Sequence, residues 1–284
     1  MINNLYKRIL VTGANGFIGK NFIKYALSKG YFVYAASSQK QTIINNNLKW
    51  LYGEFDKDWA KELEDSNILV HLAAAGVVNK QITKDEAYEV NVHKSVRLIN
   101  NACKHKCFNW VIAGSASEYG EVLKLKKPVK LSTKPTPKKI YDLTKYIFTK
   151  ECIKLNQENN NVRCRIMRIF PVYGKGENQN RLYPSLVRAA KNDLDLTITN
   201  GDALNEFNHI DNVVRDLLSA CNFETKNKKF PQIWHLSSGQ KTSIKEFAKE
   251  HWLKLNASGE LIFKDSPASN QYHHFSDKKS LWKV

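Results

Sequence analysis

Tyr141 and Lys145 stand four residues apart in Tyr141-Asp142-Leu143-Thr144-Lys145, a spacing that puts both side chains on one face of a helix. A phenol titrates near ~10 unaided, and an ammonium beside it favours the ionised form. Tyr141 is therefore equipped to give or take a proton near neutral pH, as reduction or oxidation of an alcohol carbon requires. The same pair also occurs on ordinary helix surfaces. Its meaning comes from two segments that precede it.

The first is a strand, a glycine turn and a helix. Arg8 to Thr12 is a short β-prone run, and Gly13-Ala14-Asn15-Gly16-Phe17-Ile18-Gly19 follows at once. Lys20 to Lys29 reads as an amphipathic helix ended by Gly30, and Tyr31 to Ala36 as a second strand. That order is the context a dinucleotide fingerprint needs. Gly13 permits the tight turn, Gly16 lets the backbone approach a pyrophosphate, and Gly19 lets helix and strand pack closely. The helix N-terminus then offers free N–H groups and a positive dipole end to the phosphate. The second segment, Trp110 to Gly120, is a strand running into Ser115 and Ser117. A hydroxyl there could hydrogen-bond a reacting oxygen, or merely cap its own turn.

Together these segments resemble the extended short-chain dehydrogenase/reductase superfamily, in particular its NAD-dependent epimerase/dehydratase group acting on nucleotide sugars. Gly13 to Gly19 is similar to the GxxGFIG turn, His71-Leu72-Ala73-Ala74 to HLAA, and Asn91-Val92 to the NV of the next helix. Ser115 to Gly120 resembles SSxxVYG, Tyr141 to Lys145 YxxxK, and Arg168 to Gly174 RxFNVYG. His209 to Val213 resembles YVDDV, while His235 to Gly239 with Ser243 to Phe247 is similar to NxGSG…SIxEL. Ser276 to Trp282 resembles SDxSKAxxLGW.

The resemblance implies an α/β fold: a Rossmann-like doubly wound parallel sheet over residues 1–170 and a small C-terminal α/β substrate lobe over 171–284. Segments around 201–220 and 230–240 are expected to return to the first domain. Ser115, Tyr141 and Lys145 would be catalytic. The cofactor would meet Gly13, Asn15, Gly16, Phe17, Ile18 and Gly19 at the turn, and Leu72, Ala73, Ala74 and Asn91 beyond the fourth strand. Tyr141, Lys145, Phe170 and Val172 would line its nicotinamide half. Ser37, Ser38 and Lys40 would meet its adenosine ribose, with Glu54 and Phe55 at the adenine. Ser115, Ser117, Arg181 and Asn205 would bind substrate.

Departures from the family pattern select among its chemistries. Dehydratases of the superfamily carry an Asp-Glu pair where this chain has Ala116 and Ser117, which disfavours dehydration and leaves hydride chemistry alone. The end of the second strand reads Ser37-Ser38-Gln39-Lys40, with no acid before Glu54. Hydroxyls and an ammonium suit a 2′-phosphate, where a carboxylate would repel it, so NADP(H) is favoured and NAD(H) is the alternative. An NADP preference and a short chain both point to a net reductase. The expectation is reduction of a keto group on a nucleotide-linked sugar, most simply a 4-keto-6-deoxyhexose. Tyr141 would donate the proton, Lys145 would lower its pKa and hold the nicotinamide ribose, and Ser115 would bind the carbonyl oxygen. A nucleotide-sugar 4-epimerase with tightly held NAD is the alternative. Pro171 and Asn205 stand where the family has diphosphate ligands, and Arg181 or Arg188 could replace them.

Composition sets the remaining bounds. The 284 residues suffice for one substantial core with an appended lobe. No apolar run approaches the ~18 residues of a membrane span, no secretory leader is apparent, and a cytoplasmic enzyme is expected. Cys103, Cys107, Cys152, Cys164 and Cys221 read as reduced core residues. Cys103 and Cys107 share a predicted helix face, but no metal site is expected. The net charge of +17 is spread along the chain and suits anionic small molecules rather than nucleic acid. Its densest stretch, Lys124 to Lys139 with three prolines, reads as an irregular solvated loop at the active site or as a flexible lid. The resemblance also implies a homodimer paired through helices near 86–104 and 141–156.

Overall fold

The structure, a computed structural model, describes residues 7–77, 82–223, 229–264 and 272–277. Seven parallel strands form its central sheet: β1 (Arg8–Thr12), β2 (Phe32–Ser37), β3 (Leu48–Tyr52), β4 (Ile68–His71), β5 (Asn109–Ser115), β6 (Arg163–Ile169) and β7 (Gln232–Leu236). Their spatial order is β7-β6-β5-β4-β1-β2-β3. A strand covered on both faces must be apolar throughout rather than alternating. Ile9-Leu10-Val11 and Leu69-Val70 accordingly have no exposed surface.

Helices cover both faces. On one, α1 (Phe17–Ser28) packs its Phe22, Ile23 and Ala26 beside Val213, Val214 and Leu217 of α7 (Ile210–Ala220). On the other lie Leu63 of α2 (Ala60–Asp65), Leu98, Ile99 and Ala102 of α4 (Ser95–Lys104), with Phe148 and Cys152 of α5 (Ile140–Glu158). A smaller core, including Leu186, Ile198, Phe247 and Trp252, joins α6 (Leu182–Lys191) to α8 (Ile244–Lys254) over a parallel pair of strands, Leu196–Thr199 and Leu261–Lys264. The chain is thus a Rossmann-like α/β fold.

The strand order reverses between β1 and β4, the place where open α/β sheets bind ligands at their carboxyl ends. Gly13 sits there with φ +67°, and a Cβ on it would lie 2.5 Å from the Ala73 nitrogen. A Cβ on Gly19 would lie 2.1 Å from the Gly13 carbonyl oxygen. These glycines let two loops and a helix close on one another.

Three local readings differ. The helix expected from Glu86 to Lys104 is α3 (Lys84–Tyr88), a wide π-turn over Glu89–Lys94, then α4; π-turns inside helices often mark functional sites. Because α4 ends at Lys104, Cys107 lies beyond it and shares no helix face with Cys103. Nor is Lys124–Lys139 irregular from its start, because Glu121–Leu125 forms a short 3₁₀ helix. Gly120, at φ +59°, presses on the Thr136 carbonyl, where a Cβ would come within 2.1 Å. Val129 is buried and exchanges backbone hydrogen bonds with Phe275 and Asp277, so these contacts tie the basic segment to the body of the protein. Of the Ser276–Trp282 motif, only Ser276 and Asp277 lie within the described residues.

Candidate active site

Thr12, Ser37, His71 and Ser115 end their strands along the carboxyl edge of the sheet. His71 is fully buried, with ring nitrogens 2.6 Å from Thr12 Oγ1 and 3.0 Å from Ser95 Oγ. Burial, helped by the charge of Lys145, pushes its pKa down to about 3. His71 is therefore a neutral tie between β1, β4 and α4.

The residues present fit a dinucleotide. The N-terminus of α1 has no side-chain cap and no acid in its first turn, which leaves N–H donors and the dipole for an anion. Beside it, Asn15 donates to Gln39 Oε1 at 3.0 Å, while its own Oδ1 is buried without a partner. A buried unpaired acceptor is costly unless a ligand satisfies it. Phe17 and Ile18 open the helix and pack on the core. Leu72, Ala73 and Ala74 leave β4 beside Gly13 and are partly buried.

Other residues expected at the cofactor are placed differently. Ser37 is buried; its hydroxyl donates to the Gln39 carbonyl at 2.8 Å and accepts from the Gln39 N–H at 3.1 Å. Ser38 and Lys40 face solvent. Glu54 is exposed and paired with Lys94 at 2.6 Å, and Phe55 packs against His71. Asn91, in the π-turn, accepts from Ala75 N–H at 2.8 Å and donates to the Ala75 carbonyl and Thr144 Oγ1, each at 3.0 Å. It locks the loop after β4 onto α5. Phe170 turns into the core against Tyr119, and Val172 is half-buried in a short parallel pair with Asn208.

Ser115, at the end of β5, neighbours the Tyr141 phenol and favours its ionised form. Its Oγ accepts from the Ser117 N–H at 3.2 Å and lies 2.8 Å from Ser117 Oγ. Lys145, one turn along α5 from Tyr141, is almost wholly buried. Burial pulls its pKa down, and the Glu118 carboxylate opposes that pull. The Tyr141 phenol differs from expectation. Burial pushes it up to about 12; Ser115 pulls it down, Glu118 and Asp142 push it up, and the cation that lowers it is Arg181. Tyr141 is thus a protonated acid at neutral pH.

Sequence reasoning missed the layer below. Glu118 has no exposed surface; its Oε1 accepts from the Ser115 N–H at 2.8 Å, and its Oε2 accepts from Thr149 Oγ1 and Arg168 Nε, each at 3.1 Å. Arg168 also donates to the Tyr119 hydroxyl at 2.9 Å, which lies 2.5 Å from His235 Nε2. Burial, then Arg168, pushes the His235 ring down to about 4. The sequence signal was Arg168, one of three arginines in β6.

On the substrate side, Arg181 Nε lies 3.5 Å from Glu177 Oε1, and its charge also reaches the His274 ring. His274 Nδ1 donates to Asn205 Oδ1 at 3.1 Å, so Asn205 is held by the C-terminal segment. Glu177 keeps a buried Oε2 without a partner, and burial raises its pKa to about 7. It lines a cavity of about 370 Å³ with Lys175, Tyr183, Arg188 and Lys191. Among the described residues no group of His, Cys, Asp or Glu side chains could hold a metal, the five cysteines are free, and no helix is long and apolar enough to cross a membrane.

The Rossmann-like sheet carries its glycine turn at the switch point, the arrangement with which open α/β folds bind dinucleotides. The chain belongs to the NAD dependent epimerase/dehydratase family, whose sequence model matches residues 9–233. It is 26% identical to UDP-glucose 4-epimerase of Vibrio cholerae over 88% of this chain and 76% of that protein. It is 23% identical to dTDP-6-deoxy-L-talose 4-dehydrogenase (NAD(+)) of Aggregatibacter actinomycetemcomitans over 87% of this chain and 92% of that protein. Among solved structures, MoeE5 in complex with UDP-glucuronic acid and NAD superposes with a TM-score of 0.83 at 22% identity, covering 95% of this chain and 89% of the other.

Proposed function

We propose that this protein reduces the keto group of a nucleotide-linked sugar, a 4-keto-6-deoxyhexose, using NADP(H). The observation that carries the reading is the placing of the part-buried Tyr141 phenol beside Ser115, one helical turn before the buried Lys145. A protonated phenol suits donation to a carbonyl oxygen as it becomes an alkoxide, whereas oxidation would need it ionised. The nicotinamide supplies the hydride when bound. Tyr141 donates the proton, Ser115 orients the phenol, and Lys145 holds the nicotinamide ribose. The α1 N-terminus and the glycines hold the pyrophosphate, and Asn15 Oδ1 accepts from a donor group elsewhere on the cofactor. Arg181 is the ligand for the substrate diphosphate, with Ser117 and the Asn205–His274 pair at the sugar.

The relative from Aggregatibacter is named for chemistry at carbon 4 of a nucleotide-linked 6-deoxyhexose, which supports the substrate class. Its name specifies NAD(+), and the solved neighbour holds NAD. The NADP(H) preference rests instead on the absence of a carboxylate at the end of β2 and on exposed Ser38 and Lys40. A 4-epimerase with NAD, supported by the Vibrio relative, is the second reading. We also read the π-turn-bearing helix 84–104 and α5 as a homodimer face, where Ile140 is 38% exposed.

The test incubates purified protein with NADPH or NADH and a panel of nucleotide-linked 4-keto-6-deoxyhexoses. Consumption of NADPH with one keto-sugar supports the reading. Interconversion of UDP-hexoses without net cofactor consumption would replace it by the epimerase.

A further inference from the structure

The cavity of about 370 Å³ beside Glu177 is lined by none of Ser115, Tyr141 and Lys145. Residues of the loop 174–179 form one wall, and Tyr183, Pro184, Val187, Arg188 and Lys191 of α6 form the other. Its volume falls within the roughly 300–1,000 Å³ of small-molecule sites. Since α6 rises about 14 Å from Leu182 to Lys191, the far end of the cavity stands well away from Arg181.

Its lining is chemically mixed. Lys175, Arg188 and Lys191 bring exposed positive charges, and Glu177 is the only acid among the lining residues. Arg188 and Lys191 also complement the dipole in the last turn of α6. Arg188 Nη1 donates to the Gln179 carbonyl at 3.1 Å, which ties the two walls together. The helix dipole gives no account of Glu177. Its side chain is 8% exposed, its Oε1 lies 3.5 Å from Arg181 Nε, and its Oε2 has no partner. A buried carboxyl oxygen without a donor is costly, and a ligand hydroxyl would supply the donor. Pro184, Val187 and the ring of Tyr183 add an apolar wall. Tyr173 and His251 brace that ring edge-on, each with its centroid 5.2 Å away.

We propose that this cavity binds a sugar phosphate, at a site separate from the hydride chemistry. The phosphate meets Lys175 and Lys191, a ring hydroxyl donates to Glu177, and the C–H face of the sugar lies against Tyr183 and Val187. Inorganic phosphate would satisfy the cations and leave the Glu177 oxygen unpaired. A neutral sugar would satisfy Glu177 and leave the cations unused. A sugar phosphate satisfies both, whether or not the protein reduces a keto-sugar.

The test is calorimetric titration of the protein at low ionic strength with glucose 1-phosphate, glucose 6-phosphate, inorganic phosphate and glucose. At least one sugar phosphate should bind more tightly than inorganic phosphate or glucose. Lys191→Gln, on the exposed surface of α6, should weaken it about tenfold or more. Glu177→Leu, which removes the acceptor, should weaken the sugar phosphate by a similar factor and leave inorganic phosphate no weaker. No binding of either sugar phosphate at millimolar concentration overturns the proposal. Equal affinity for inorganic phosphate overturns it too, by reducing the site to a patch of cations. Sugar phosphate binding that Lys191→Gln leaves unchanged places the ligand elsewhere and also overturns it.

Discussion

Arg168 donates its Nε to Glu118 Oε2 at 3.1 Å, with side chains 4% and 0% exposed. The same carboxylate accepts the backbone N–H of Ser115 at 2.8 Å. One buried ion pair thereby fixes the turn that presents Ser115.

Breaking a buried pair leaves an uncompensated charge, which costs about 3–5 kcal/mol. Glu118→Gln keeps the shape and strands Arg168, so the unfolding free energy from denaturant titration should fall by that amount, with loss of activity in whatever protein remains folded. A variant within about 1 kcal/mol of wild type would show that the pair does not hold the turn.

Stability should fall in mild acid. His71 and His235 have folded pKa values of about 3 and about 4, below the ~6.5 of an unfolded histidine. Groups with a depressed histidine pKa bind protons only on unfolding, so their contribution is intact above pH ~6.5 and lost as pH falls towards the folded values. Each contributes a slope of up to about 1.4 kcal/mol per pH unit. Urea titrations at pH 7 and 5.5 should show this loss, reduced in His71→Asn. Equal midpoints would mean that the rings accept protons in the native state.

Much of this was legible in the sequence. The Gly13–Gly19 turn, the parallel sheet and the Tyr141–Lys145 spacing all follow from local pattern, because period and glycine placement are written in neighbouring residues. The π-turn at Asn91 was not legible, since it exists to bring an amide to Ala75 and Thr144 across the fold. Nor was the high Tyr141 pKa. Helix spacing named Lys145 as its partner, but burial weighs most on the phenol, followed by Ser115 and Glu118. Ser37, read as a phosphate ligand, spends its hydroxyl on the next turn's backbone.

Lys145→Ala should impair two steps that Tyr141→Phe separates. Weaker cofactor binding and a slower hydride step should appear together, because the buried ammonium is proposed to hold the ribose and to balance Glu118. Unchanged affinity by nicotinamide fluorescence, with an unchanged rate, would remove it from the site.

Cofactor choice should respond to Lys40 and Ser38. Losing a charge-assisted hydrogen bond costs roughly 1.5–3 kcal/mol, about tenfold to more than a hundredfold in affinity. Lys40→Ala and Ser38→Asp should weaken NADPH by such factors and leave NADH unchanged or tighter. Wild-type protein that binds NADH as tightly as NADPH would end the 2′-phosphate reading.

The most direct measurement of the central claim is a single turnover with NADPH deuterated at nicotinamide C4, on the face the enzyme uses, and a nucleotide-linked 4-keto-6-deoxyhexose. The product sugar should gain about one mass unit at carbon 4 relative to the unlabelled reaction, and Tyr141→Phe should transfer deuterium at least ~10²-fold more slowly with cofactor affinity nearly intact. Deuterium transfer at more than about a tenth of the wild-type rate in Tyr141→Phe, or no deuterium in the wild-type product, would contradict the account.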